Sequence, residues 1–107
     1  MALFNFGKPK PSPDKMLVDL IEHNADQIVA TEGKTRDEAT YLSICLVLDD
    51  LKTRPNGAAG HKAIMDMLLM GQYQKHTNDV LTYLAWSSGE IKLKPEYEAA
   101  LIKRHQK

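Results

Sequence analysis

Residues 35–52, "TRDEATYLSICLVLDDLK", constrain the fold of this chain more than any other stretch. Thr35 and Glu38 make a capping box, in which the threonine hydroxyl accepts from the amide three residues on and the glutamate reaches back to the cap. From Ala39 to Leu51 the apolar residues are Ala39, Tyr41, Leu42, Ile44, Cys45, Leu46, Val47, Leu48 and Leu51. A helix that covers one side of a core carries a single apolar stripe. These positions cover most of the circumference, so the helix is expected to be enclosed on at least two sides and to stand at the centre of a bundle. It stops at "KTRPNG", where Arg54 precedes a proline and Asn56-Gly57 is a turn dipeptide.

The neighbours of this helix read as helices too. Ser12 is an N-cap, Pro13 a first helical residue and Asp14 a dipole partner; Leu17, Leu20, Ile21, Asn24, Ala25 and Ile28 then recur on one face until Gly33. A third helix is expected from Gly60 or His61 to Met70, with Gly71 as its stop, carrying Ile64, Met65, Met67, Leu68, Leu69 and Met70. Thr77 caps a fourth, which holds Val80, Leu81, Tyr83, Leu84, Ala85 and Trp86 and ends at "SSG". "EIKLK" reads as a short extended connector, and Pro95 opens a fifth helix whose inner face is Tyr97, Ala100, Leu101 and Ile102 and whose end is expected to fray. The fold class is therefore all-α, a small helical bundle of four to five helices. At 107 residues the helices make a single helical domain over 13–107. Ahead of it Pro9, Pro11 and Pro13 alternate, so residues 1–12 are expected to form an extended, flexible Pro-rich N-terminal arm.

Charge and cysteine usage narrow the function. Lys plus Arg equals Asp plus Glu, 14 against 14, so no overall field draws in nucleic acid or an anionic membrane. One cysteine, Cys45, excludes an intramolecular disulfide and fits a reducing compartment; its apolar setting in "SICLVL" is that of a buried residue. No apolar run approaches the ~20 residues of a membrane span, and the first residues lack a signal-peptide pattern. A cytoplasmic location is the expectation.

The glycine-rich "RPNGAAGHK" resembles a phosphate loop only superficially. A Walker loop wants a wider glycine spacing, a lysine directly after the second glycine, a hydroxyl next, and a preceding strand. What remains is a weak anion-binding position at Gly60, His61 and Lys62, where a helix opens. Asp19, Glu22, His23 and Asp26 have ligand-type side chains at helical spacing, but no second helix offers a matching set, and a solvated face explains them. His61, His76 and His105 fall at a helix start, a loop and a fraying end. Asp49 and Asp50 diverge by about 100° around their helix, and no serine or cysteine sits in a nucleophile arrangement. Neither enzymatic activity, nor a metal, nor a cofactor is expected. Tyr41 and Asn24 are the polar residues expected to be buried.

The first functional expectation is a non-enzymatic protein acting through protein–protein contact, by self-association as a homodimer or by docking as an accessory, regulator or inhibitor. The adaptable methionines Met65, Met67 and Met70, with Tyr83 and Trp86, are the residues that would carry it. A second reading uses the basic ends, Lys8, Lys10, Lys15, Lys103, Arg104 and Lys107, to hold nucleic acid, although "TNDVLTYLAW" carries no cation for a groove. A third anchors the chain on a membrane surface through Leu3, Phe4 and Phe6.

Overall fold

A computed structural model describes residues 13–106. Among them the chain forms five helices and no strand: α1 Pro13–Glu32, α2 Arg36–Lys52, α3 Gly57–Met70, α4 Thr77–Ser87 and α5 Pro95–Arg104. The all-α bundle expected from the sequence is present. The Pro-rich arm, with its apolar tip, Lys8, Lys10 and the Ser12 cap, lies outside the described residues, as does Lys107.

α1 and α2 form an antiparallel hairpin. The buried Ser43 hydroxyl of α2 donates to the Ile21 carbonyl of α1 at 2.6 Å, and Arg36 at the start of α2 reaches back to Glu22 (2.6 Å) and Asp26. The hairpin turns at Gly33, whose φ of 66° is a left-handed conformation open to glycine at little cost. Thr35 caps α2 as expected, accepting from the Glu38 amide at 3.2 Å. The other half of the capping box is redirected: the Glu38 carboxylate accepts from Arg104 of α5, a charge-assisted pair that outcompetes a neutral amide.

α2 stands at the centre, packed against α1, α3 and α4. Tyr41, Ile44, Cys45, Val47 and Leu48 meet Ile21, Ala25 and Ile28 on one side and Ile64, Met67, Leu68 and Val80 on others. Leu46 alone among its apolar residues in this stretch faces out, 53% exposed. Asn24, expected in the core, is half-buried and borders a surface groove with Gln27, Thr31, Glu32 and Leu46.

α3 begins at Gly57, three residues before the earliest predicted start. The turn after α2 folds tightly enough for the Gly57 amide to donate to the Arg54 carbonyl at 3.1 Å, so helical geometry starts inside the apparent loop. After α3 the buried Tyr73 sends its hydroxyl to Glu22 of α1 at 2.8 Å, and a 3-10 turn at Gln74–His76 leads directly into α4. Thr77 is therefore the first residue of α4 rather than its cap; its hydroxyl donates to the carbonyls of Gln74 (2.7 Å) and Leu68. Gly89, with φ of 80°, ends the turn after α4.

Candidate functional site

Two features of the surface stand out. The first is a polar seam where α2, α4 and α5 converge. Along α2, Glu38, Tyr41, Cys45 and Asp49 recur at three- and four-residue spacing, which aligns them on one edge of an otherwise apolar helix. α4 sets Asp79, Tyr83 and Trp86 opposite, at the same helical spacing. α5 closes the seam with Glu98, Arg104 and, just past its end, His105.

Every polar side chain of the seam has a partner. Arg104 Nε donates to both oxygens of Glu38 (3.0 and 2.7 Å), its Nη2 donates to Asp79 at 3.2 Å, and its guanidinium lies 3.9 Å from the centre of the Tyr41 ring. His105 Nε2 shares a 2.7 Å hydrogen bond with the Tyr41 hydroxyl, while the His105 ring stacks on Tyr83 with centroids 4.3 Å apart. Tyr83 in turn donates to Asp49 at 2.6 Å, and the Trp86 indole donates to Glu98 at 2.8 Å.

Burial sets the protonation of this cluster. It pushes the Tyr41 phenol well above its ordinary value, with the neighbouring Cys45 thiol adding to the shift. The Cys45 thiol itself is pushed up to about 12, mainly by burial. Burial raises Tyr83 too, helped by its bond to Asp49. Hydrogen bonding to Glu38 holds Arg104 firmly charged. The His105 imidazole is shifted down, first by burial and then by the adjacent Arg104 cation. Near neutral pH the seam thus contains protonated phenols, a protonated thiol, a neutral imidazole and paired charges. Such a set clamps helices together.

The second feature is a groove of about 430 Å³ between α3 and α4. Met65, Leu81, Leu84 and Ala85 give it an apolar lining, to which Lys52, His61, Ser88 and Glu90 add polar groups.

The five contact residues expected from the sequence are not brought onto one surface. Met65 lines the groove. Met67 turns into the core at 8% exposure, because its position on α3 faces α2; it is unavailable to a partner. Met70 ends the same helix at 78% exposure, beside the exposed Leu69. Tyr83 and Trp86 are half-buried and committed to the seam. The expected anion position is displaced as well. With α3 beginning at Gly57, Gly60 is already the fourth residue of the helix and rests on the Leu51 side chain, while His61 is half-buried at the groove and Lys62 is exposed beside it.

The ligand-type row of α1 is spent on local partners: Asp19 on Lys15, His23 on Gln27, and Glu22 and Asp26 on Arg36, with Tyr73 also on Glu22. Among the described residues no group of three His, Cys, Asp or Glu side chains could hold a metal ion. No described helix is long and apolar enough to cross a membrane. Arg104, one of the basic-end residues, points inward to carboxylates.

His105 is the residue that sequence reasoning missed. Its signal was present: Arg104 and His105 follow the inward-facing Leu101 by three and four positions, which places both on the buried side of α5. No family model, curated protein or solved structure matches this chain.

Proposed function

We propose that this chain is a docking module that receives an amphipathic segment of a protein partner in the α3–α4 groove. The carrying observation is the groove itself: a largely apolar lining containing a methionine, open to solvent, with a lysine and a glutamate among its lining residues. Methionine adapts its three rotatable bonds to differently shaped partners, and helix-in-groove recognition uses such linings. Lys52 and Glu90 in the lining favour a segment that carries an acid and a base beside its apolar face. Leu69 and Met70, exposed at the end of α3, offer further apolar contact area.

A photo-crosslinking residue placed at Met65, at Met70 or at the exposed Asp19 tests the reading in the native host. Adducts of defined mass are expected at position 65, few at 19, and loss of the position-65 adducts when Leu84→Glu is added. Equal labelling at all three positions, or none at 65, rules the groove out. Sedimentation of the purified chain over a wide concentration range separates a foreign partner from a second copy.

A further inference from the structure

We propose that α5 is an acid-released latch, held on the bundle by His105 in its neutral form and freed when that imidazole takes up a proton. This inference is independent of the α3–α4 groove.

The geometry makes α5 separable. Leu101 is its only buried side chain, while Tyr97 and Ile102 remain 61% and 42% exposed. A ten-residue helix is far too short to persist alone in water. With so little apolar burial, its attachment rests on the polar seam: Arg104 on Glu38 and Asp79, Glu98 on Trp86, and His105 between Tyr41 and Tyr83.

His105 is the member of that seam whose charge changes near neutral pH. As a neutral ring it serves the Tyr41 hydroxyl with either tautomer, accepting through a bare Nε2 or donating through Nε2–H. Charging it commits Nε2 to donation and puts a cation beside Arg104, in a stacked and partly desolvated position. The groups facing it are Glu38, Tyr41 and Asp49 of α2, Tyr83 of α4, Glu32 of α1, Lys34 of the α1–α2 turn and Arg104 of α5; Cys45 lies behind Tyr41 and Asp79 behind Arg104. The carboxylates Glu38, Asp79 and Asp49 are already engaged by Arg104 and Tyr83, which leaves them less able to stabilise a second cation. A fold that prefers the neutral ring loses that preference on acidification. The docked state keeps its full advantage above the ordinary histidine value of 6.5 and loses it as pH falls from there through the lower folded value. Each unit between the two values makes docking tenfold less favourable once the ring is charged.

Trp86 is the single tryptophan and its indole bonds to Glu98 of α5, so its fluorescence reports docking directly. A titration from about pH 8 down to about pH 5, above the range where ordinary carboxylates protonate, is expected to red-shift Trp86 emission with a midpoint below 6.5. Amide exchange over residues 95–104 should accelerate over the same range while α1–α3 stay protected. His105→Gln, whose amide reaches the position of Nε2 and can bond Tyr41 without titrating, should abolish the transition, whereas His76→Gln should leave it. In the wild-type chain the His105 imidazole proton shift, followed by NMR, should share the fluorescence midpoint. The proposal fails if emission does not change, if His105→Gln keeps the same midpoint, or if all five helices lose protection together.

Discussion

A β-carbon built on Gly57 would stand 1.8 Å from the carbonyl oxygen of Leu51, well inside any tolerable contact. The close approach lets α3 start directly on the end of α2 and so sets the angle at which Met65 and Leu68 meet the rest of the bundle. Gly57→Ala is therefore expected to destabilise by about 1–3 kcal/mol, the range for forced overpacking, with the upper end favoured because the obstacle is backbone. Gly60→Ala meets only the tip of the Leu51 side chain at 3.1 Å and gains helix propensity, so its change should stay within about 1 kcal/mol. Urea midpoints for the two variants test the contrast.

Met67 and Met70 sit three residues apart on α3 yet belong to different environments. Truncating Met67 leaves a cavity among Ile64, Leu68 and the residues of α2, and Met67→Ala should cost about 2–5 kcal/mol. Met70→Ala removes an exposed side chain and should shift stability by less than about 0.5 kcal/mol. Thermal or chemical denaturation of the pair separates core from surface, and equal losses would show that α3 is rotated from its position here.

Two of the ion pairs that tie distant parts of the chain differ in burial. Arg104 and Glu38 are 32% and 25% exposed, whereas Lys75 and Asp37 are 62% and 70% exposed. Arg104→Ala should cost about 1.5–3 kcal/mol, since it strips charged hydrogen bonds from Glu38 and uncovers the Tyr41 ring. Lys75→Ala should cost at most about 0.5 kcal/mol and become undetectable at high salt.

Cys45 is 1% exposed, and burial pushes its thiol up to about 12. Alkylation at pH 8 is expected to proceed only through opening of the bundle, with a rate that climbs steeply as urea approaches the unfolding midpoint. Rapid labelling without denaturant would contradict the burial of this residue in the core.

Much of this architecture was legible in residue order. The capping box at Thr35, the apolar circumference of α2, Gly33 at its left-handed turn and Pro95 at the start of α5 are local signals, and local backbone physics reads them within a few residues. The start of α3 was not legible, because "PNG" advertises a turn and says nothing of the Leu51 carbonyl that Gly57 must pass. Glu38 followed its local rule only halfway, since a capping carboxylate yields to a guanidinium that arrives from 66 residues away.

The sequence by itself determined which segments are helical and which helix is central, since capping, proline geometry and apolar periodicity act over a few residues. Only the tertiary structure decided that Tyr41, Tyr83 and His105 form one cluster, that Met67 is core while Met65 lines a groove, and that α5 is held by polar contacts. Those outcomes depend on helix rotation and crossing, which many weak contacts set jointly and no short stretch of residues encodes.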